Sequence, residues 1–200
     1  GFINLVGRTL NGLQSDAKIV VLDATNNYHW NDTYSFAGLN DEFTAVITNN
    51  AGTLTTVGYT TIAPNNEDLL LRKYTQGGAL IWHTTFDAFG ENDRAIKVLE
   101  DNDGNYLVLA NVTQGAQKDV YIYCFEGTSG NLLWEERISD DPTSNETALN
   151  LEANMLGDIY VTYAIQGITK TKAYNYEEVH YPLDNEPFSK GSLILEAAGR

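Results

Sequence analysis

Short apolar segments alternate with polar turns along most of the chain. The segments are rich in Val, Ile, Leu, Tyr and Thr and are bounded by Gly, Asn or Asp, which is the composition of β-strands and of the turns between them. Ala17–Leu22, Leu69–Tyr74 and Val120–Phe125 are typical examples. Arg94–Glu100 would also fit one face of a helix, but a stable helix is usually longer. We therefore predict an all-β chain in which this segment is a strand as well.

The three tryptophans mark a sequence repeat, because Trp30, Trp82 and Trp134 lie 52 residues apart. Other landmarks keep nearly the same spacing in every copy: an acid before the Trp (Asp16, Asp68 and Asp119), an Asn after it (Asn40, Asn92 and Asn145) and a Gly further on (Gly52, Gly104 and Gly157). Each copy holds four apolar segments, and the Trp belongs to the third. A repeat of this kind predicts equivalent structural units that stack on one another.

Four strands in a unit of about fifty residues are typical of a β-propeller blade. An isolated hairpin cannot bury its apolar face, whereas stacked sheets can. We predict a β-propeller, or a segment of one, with about four four-stranded antiparallel blades. The units would be residues 1–51, 52–103 and 104–156, with a fourth beginning at 157. We expect the landmark residues to be structural anchors, with each Trp filling the space between blades rather than binding a ligand.

The end of the chain departs from the repeat, which we place at residues 1–165. Residues 166–200 contain no acidic landmark and no fourth Trp. Thr169–Tyr174 could be a divergent second strand, Gly191–Arg200 could begin a further unit because it is like the opening segment, and Tyr181–Pro187 is typical of a loop. Either the fourth unit is atypical or the natural chain continues into further repeats. The opening inside a strand pattern, without an initiator Met, also suggests part of a longer protein.

The charge of the chain excludes some functions. There are 12 Lys and Arg against 27 Asp and Glu, which gives a formal net charge of −15 at pH 7. Nucleic-acid binding needs clustered basic side chains, and we therefore predict no nucleic-acid partner. No apolar run is long enough for a membrane-spanning helix. The single cysteine, Cys124, cannot form an internal disulfide and lies in an apolar segment, where we expect a buried, unreactive thiol.

One run of acids is a candidate metal site. Asp101, Asp103 and Asn105 lie close together in Glu100–Asn105, and calcium prefers such oxygen ligands. The run lacks the distant Glu of a calcium loop, and Asp-Gly between two strands is common in hairpin turns. We predict a turn, keep calcium as the alternative, and predict no other cofactor.

Sequence motifs for catalysis are missing. The chain has no nucleophile elbow, no His-Glu-x-x-His zinc motif and no phosphate-binding loop. His29, His83 and His180 occupy different positions in their copies and do not have the spacing of metal ligands. We therefore predict no catalytic residue.

The segment Glu126–Trp134 is similar to the tryptophan-docking motif of bacterial propeller repeats related to the pyrroloquinoline-quinone proteins. The whole pattern of strand, Asp, strand, glycine turn, Trp and Asn-Asp resembles the SBBP type of these PQQ-like repeats. One copy keeps only Gly78 and Trp82, and another has Asn26 in place of the turn glycine. The resemblance covers about residues 1–165. It implies a propeller and an extracellular or cell-surface bacterial protein.

Three functions are compatible with these observations. The leading hypothesis is a non-enzymatic scaffold or binding module of a secreted or cell-surface protein, whose loops bind a protein or glycan in adhesion or protein interaction. The first alternative is a fragment of a quinone-dependent oxidoreductase, which would need more blades and a quinone in the central channel, usually with calcium. The second alternative is a structural spacer or a polymer-forming repeat unit.

Overall fold

The fold consists of β-strands joined by turns and loops. The computed structural model describes residues 1–138, 141, 143–174 and, for the backbone alone, 194–197. These residues form fifteen strands in four antiparallel sheets and contain no helix. The prediction of an all-β chain with four antiparallel sheets is confirmed, although the first sheet has three strands instead of four. Arg94–Glu100 lies in a strand, as predicted.

Within every sheet the strands follow one another in chain order. Sheet 1 contains β1 (Ile3–Asn11), β2 (Gln14–Leu22) and β3 (Tyr28–Tyr34). Sheet 2 contains β4 (Asp41–Thr48), β5 (Leu54–Ala63), β6 (Asn66–Tyr74) and β7 (Leu80–Phe86). Sheet 3 contains β8 (Asp93–Glu100), β9 (Tyr106–Gln114), β10 (Gln117–Phe125) and β11 (Leu132–Arg137). Sheet 4 contains β12 (Glu146–Ala153), β13 (Ile159–Ile165), β14 (Ile168–Tyr174) and β15 (Ile194–Ala197).

Consecutive sheets stack face to face, and each of the three junctions between them holds its own apolar core. Ile19 of sheet 1 shares the first core with Leu70 of sheet 2. Leu71 of sheet 2 and Val108 of sheet 3 share the middle core, and the third joins sheets 3 and 4. The first strand β8 contacts both β4 and β12, so these first strands lie on the inner side, and the Trp-bearing strands lie on the outer side. This is the arrangement of a β-propeller segment.

The sheets are offset by one strand from the units 1–51, 52–103 and 104–156. Asp41–Thr48, the last segment of the first unit, pairs with Leu54–Ala63 and therefore belongs to sheet 2. The reason is local: the turn 49–53 closes a tight hairpin through bonds from Asn49 N to Thr53 O and from Gly52 N to Asn49 O, whereas loop 35–40 crosses from one sheet to the next.

The tail differs from the sequence interpretation in one respect. Ile194–Ala197 does not begin a further unit; it pairs with β14 and completes sheet 4 in the position that the Trp-bearing strands occupy elsewhere. Thr169–Tyr174 lies in the strand β14 next to β13, the place expected for a second strand. Tyr181–Pro187 and His180 lie outside the described residues.

Because the strands are antiparallel, every sheet has the same two ends. The turn end carries the tight turns 23–27, 49–53, 75–79, 101–105, 126–131 and 154–158. The acid end carries the loops 35–40 and 87–92 and the acidic landmarks beside them. The candidate functional features differ between these two ends.

Candidate functional site

At the turn end, the tryptophan of one sheet docks on the turn of the next. In the first junction the Trp30 indole nitrogen donates to the carbonyl of Gln76 at 2.9 Å. The Trp30 ring lies over Gly78 and its centroid is 5.4 Å from that of Tyr74. Trp30 is 8% exposed. The indole therefore joins the outer strand of sheet 1 to a turn of sheet 2.

The middle junction repeats this contact. The Trp82 indole nitrogen donates to the carbonyl of Gly127 at 3.2 Å, and Trp82 is 9% exposed. The ring lies over Gly130, whose carbonyl also accepts a hydrogen bond of 2.9 Å from Thr84. Trp134, the third copy, packs against the core of the third junction. The expectation that the tryptophans fill the space between blades agrees with these contacts, but the sequence did not indicate that Trp30 and Trp82 dock on the turn glycine of the following copy.

The turn glycines are required by both conformation and space. Gly78 has a φ of +88° and Gly130 a φ of +77°, in the region that side chains with a Cβ rarely adopt. A Cβ on Gly78 would lie 2.6 Å from the Trp30 ring, and one on Gly130 would lie 2.8 Å from the Trp82 ring. Asn26 has a φ of 64° in the equivalent turn of sheet 1. Neither Trp30 nor Trp82 docks there, which explains why a side chain is tolerated.

The landmark glycines Gly52, Gly104 and Gly157 lie in the inner hairpin turns with φ of 81°, 82° and 91°. The candidate calcium residues belong to one of these turns. Oδ1 of Asp101 accepts hydrogen bonds from the backbone nitrogens of Asp103 at 2.9 Å and of Asn105 at 2.8 Å. Asn49 and Asn154 accept equivalent bonds with an amide oxygen. The structure thus uses Asp101 as a turn residue, and the turn itself does not need its charge.

A small cavity lies beside this turn, between sheets 3 and 4. Its volume is about 150 Å³, and Glu100, Asp101 and Asn154 contribute polar atoms to its lining. Glu100 is already bound, because its Oε1 accepts a hydrogen bond of 3.1 Å from the Asn49 amide. The cavity would hold a few water molecules or a small ion.

At the acid end, the first junction is fully hydrogen-bonded at its landmarks. Oδ1 of Asn40 accepts bonds from the backbone nitrogen of Ser15 at 3.0 Å and from its hydroxyl at 3.3 Å. Asp41 is fully buried and accepts from the Thr60 hydroxyl at 2.6 Å and the Phe36 nitrogen at 2.9 Å. Asp16 accepts a bond from the Asn11 amide at 3.2 Å. The bonds from Ser15 to Asn40 join β2 of sheet 1 to the start of sheet 2, whereas Asp16 is bound within sheet 1.

The landmarks Asn145 and Asp119 of the third copy have partners as well, but different ones. Oδ1 of Asn145 accepts a bond of 2.9 Å from the backbone nitrogen of Lys118. Asp119 forms an ion pair of 2.7 Å with Arg137, and the Asp119 side chain is almost completely buried. Asn145 thus binds β10 to the segment before sheet 4, as Asn40 binds β2 to the segment before sheet 2, whereas the ion pair of Asp119 joins two strands of sheet 3.

Several buried side-chain oxygens at this end accept no hydrogen bond, among them Oε1 of Gln117 in β10. Oδ1 of Asp93 is buried without a hydrogen-bond partner, and so are the side-chain carbonyl or carboxylate oxygens of Asn66, Asp68 and Asn92. Oδ2 of Asp93 accepts a single bond of 2.8 Å from the Ala88 nitrogen. Burial raises the pKa of Asp93 to about 7, with further contributions from the charges of Asp87 and Asp68. Burial raises the pKa of Asp68 to about 6, and Asp87 adds to this shift.

The other titratable candidates are placed far apart. Cys124 is buried in the third junction, and burial raises the pKa of its thiol to about 12, so the thiol is unreactive at neutral pH. His29 and His83 are exposed on different sheets, and His29 lies 4.9 Å from the ring of Phe2. Within residues 1–138, 141 and 143–174, no three side chains from His, Cys, Asp and Glu form a group that could hold a metal.

The inner edge of sheet 1 has no partner among the strands that the structure describes. The strands β5 and β9 have neighbours on both sides, but no strand among the described residues pairs with the other edge of β1. Val57 in β5 is fully buried, whereas Leu5 in β1 is 52% exposed. Ile3 and Leu10 are exposed too. Sequence reasoning missed this feature because it assigned four strands to the first unit.

Comparisons with known proteins give little further information. No protein-family model matches the chain, and no curated protein matches it. Among solved structures, the chain is similar to BamB from Moraxella catarrhalis, with 10% identity, a TM-score of 0.21 and coverage of 82% of this chain and 79% of that one. A likeness of this size carries no argument about function. The described residues also contain no helix that could cross a membrane.

Proposed function

We propose that this chain is a non-enzymatic β-propeller segment that acts as a scaffold and binding module of a secreted or cell-surface bacterial protein. The extracellular setting rests on the resemblance to SBBP-type repeats. The binding role rests on one observation, the open inner edge of sheet 1. The partner that fits this edge is an extended strand like β4 and β8, the inner strands of sheets 2 and 3.

The residues that the repeat keeps support the scaffold role. Trp30 and Trp82 bind the turn of the following sheet, and Asn40 and Asn145 bind the strand of the preceding one. Side chains that are held in this way fix the geometry of the sheets and leave recognition to edges and loops.

The chemistry of the open edge defines its partner. A sheet edge presents unpaired backbone N–H and C=O groups, which an added strand can satisfy. In sheets 2 and 3 the strand at this place, β4 or β8, begins with Asn-Asp and continues with apolar residues that contact the preceding sheet. The equivalent partner of β1 is therefore a strand with an Asn-acid start and apolar side chains that cover Leu5 and its neighbours.

A peptide of the sequence 40–50 of this chain tests the proposal. It carries the inner-strand pattern, and the control peptide carries Ala45→Pro, which removes a ladder donor and bends the strand. Titration of the labelled peptide should give saturable binding, and hydrogen exchange should slow in Ile3–Asn11. The Pro peptide should give neither effect.

Two chain variants locate the binding. Leu5 is 52% exposed on β1, and Leu133 is 50% exposed on the outer strand β11. Leu5→Lys should weaken peptide binding at least tenfold, and Leu133→Lys should leave it unchanged. Binding that is equal in both variants, or peptide binding without slower exchange in β1, would refute the open edge as the binding site.

The oxidoreductase alternative has its own test. The protein is first saturated with calcium, and pyrroloquinoline quinone is then added at increasing concentration. A non-enzymatic scaffold leaves the absorbance spectrum of the quinone unchanged. A saturable spectral change would contradict the proposal, because it would indicate a cofactor site.

A further inference from the structure

At the turn end, the third junction differs from the middle one in a contact between its two sheets. In the middle junction, the Asn49 amide of sheet 2 donates to the Glu100 carboxylate of sheet 3 at 3.1 Å. The turns 49–53 and 101–105 and the turn 154–158 are closed by the same backbone bond, so the equivalent residues of the third junction are Asp101 and Ala153. The third junction therefore has a carboxylate in place of the amide and a methyl group in place of the carboxylate.

The cavity of about 150 Å³ between sheets 3 and 4 lies at this place, and both Asp101 and Ala153 line it. Ala is much smaller than Glu, so the space that a Glu side chain fills in the middle junction is left open here. Leu99, Leu107 and Ile159 form the apolar wall of the cavity, and all three belong to the third core. Ala153 pairs with Ile159 and thus faces the same side of sheet 4. The cavity combines an apolar wall with a carboxylate.

Asp101 supplies the negative charge of this cavity. Glu100 lines it as well, but its carboxylate is bound to sheet 2. Asn49 and Asn154 hold the equivalent turns with a neutral amide oxygen, so a turn of this kind does not require the charge of Asp101. Burial raises the pKa of the Cys124 thiol in the third core to about 12, and the charge of Asp101 adds to this shift. The charge therefore acts inside the third junction.

The lining defines the chemical class of a ligand. A carboxylate favours a positively charged hydrogen-bond donor, and the apolar wall favours a hydrocarbon chain. A primary ammonium group on an alkyl chain has both parts, and the lysine side chain is the form in which proteins carry it. An apolar cavity of about 150 Å³ is large enough for benzene, and a lysine side chain has one heavy atom fewer. The guanidinium group of arginine is larger and planar and fits this space less well.

Two exposed apolar side chains next to the cavity indicate that the amine belongs to a protein. Met155 is 104% exposed and Leu156 is 75% exposed in the turn 154–158, part of which lines the cavity. The other copies have Asn50–Ala51 and Asn102–Asp103 at these positions. A free amine would leave the two apolar side chains in water, whereas a peptide that carries the lysine can cover them. The net charge of −15 also favours association with a basic partner.

We propose that the cavity between sheets 3 and 4 binds a lysine side chain of a protein partner. The ammonium group lies at Asp101 and the alkyl chain lies against the apolar wall, while Met155 and Leu156 contact the partner residues beside the lysine. This site is separate from the edge of β1 and does not depend on the strand partner proposed for that edge.

Nuclear magnetic resonance titration with the acetylated and amidated tripeptide Leu-Lys-Leu tests this site. The peptide should bind saturably and shift the amide resonances of the turns 101–105 and 154–158. A peptide with norleucine in place of lysine keeps the alkyl chain without the charge and should bind at least about tenfold more weakly. Chloride salts of n-butylammonium should also bind more weakly than the lysine peptide, because they cannot cover Met155 and Leu156. Equal affinity of the two peptides would overturn recognition of an ammonium group, and equal affinity of n-butylammonium would overturn the protein partner.

Three chain variants locate the binding. Asp101→Asn keeps a turn residue that Asn49 and Asn154 already provide in the other copies, and it should weaken the lysine peptide at least about tenfold without affecting the norleucine peptide. Asp103→Asn is the matched control, because it removes a charge from the same turn at an exposed residue outside the cavity lining, and it should keep the affinity within about twofold. Ala153→Leu fills the cavity and should abolish binding. Equal losses in Asp101→Asn and Asp103→Asn, or unchanged binding in Ala153→Leu, would overturn the proposal.

Discussion

The two ends of the sheets use the repeat in different ways. At the turn end, Trp30 and Trp82 make the same contact with the following sheet, an indole over a glycine with a hydrogen bond to a turn carbonyl. At the acid end, the same landmark residue types recur, but their partners change from junction to junction. A contact that depends on shape is reproduced wherever Trp and Gly recur, whereas a polar contact also depends on a neighbour that the repeat does not keep.

Removal of a docked indole should cause the largest loss of stability. Trp82→Ala deletes a nearly buried ring and its hydrogen bond to Gly127. We expect a loss of about 3–5 kcal/mol in the free energy of unfolding. Chemical denaturation measures this change. Trp82→Phe should lose clearly less, and an equal loss in both variants would mean that the ring does not fill the junction.

A methyl group placed under the indole should cause the next largest loss of stability. In Gly130→Ala the Cβ would lie 2.8 Å from the Trp82 ring and 2.7 Å from the Thr84 hydroxyl. The control is Gly115→Ala, at a φ of +63° with nothing within 4 Å of the new Cβ. Both variants place an alanine at a positive φ and lose stability for that reason. Only Gly130→Ala also creates a close contact, so it should be less stable than Gly115→Ala by about 1–3 kcal/mol. Equal midpoints in denaturant would contradict the docking.

At the acid end, sheet 3 should be sensitive to loss of the ion pair between Asp119 and Arg137. Arg137→Met leaves the buried carboxylate of Asp119 without its ion pair. We expect a loss of about 1–2 kcal/mol, less than for a fully enclosed pair because Arg137 is one-third exposed. Adding Asp119→Asn should recover part of this loss. No recovery in the double variant, measured by denaturant unfolding, would mean that the pair contributes nothing to the junction.

The smallest expected effect is a dependence of stability on pH that the buried carboxyl of Asp93 causes. Burial raises the pKa of Asp93 to about 7 in the folded protein. The folded state therefore binds this proton more tightly than the unfolded state does. In EDTA, stability should fall as the pH rises from about 4 to about 7. Asp93→Asn should flatten this part of the profile, and an unchanged slope in that variant would assign the dependence to other groups.

Much of the fold follows from local sequence patterns. Strand segments such as Arg94–Glu100 and turn residues such as Gly104 could be predicted because β-propensity and positive φ act within a few residues. The assignment of β4 to sheet 2 could not be predicted with the same ease. Tight turns and crossing loops have similar compositions here, and only the pairing of Asp41–Thr48 with Leu54–Ala63 distinguishes them.

The candidate sites were harder to predict from the sequence. Asp101 and its neighbours attracted attention because their acids are adjacent in sequence, but the structure uses Asp101 to hold a turn. Oδ1 of Asp68 and Oδ1 of Asp93 lie on different strands, and their lack of hydrogen-bond partners is visible only in the folded structure. The sequence signal was the exchange of Thr60 for Val112 between equivalent strands, which matters only once the partner of the first residue is known.

Hydrogen exchange of the indole N–H groups tests the central claim, that Trp30 and Trp82 each hold their own sheet against the next. The indole resonances are assigned by replacing one Trp at a time with Phe and are followed after transfer into D₂O. The account predicts slow exchange for Trp30 and Trp82, because Gln76 and Gly127 accept their hydrogen bonds inside the junctions. Exchange of both groups at the rate of a free indole would contradict it.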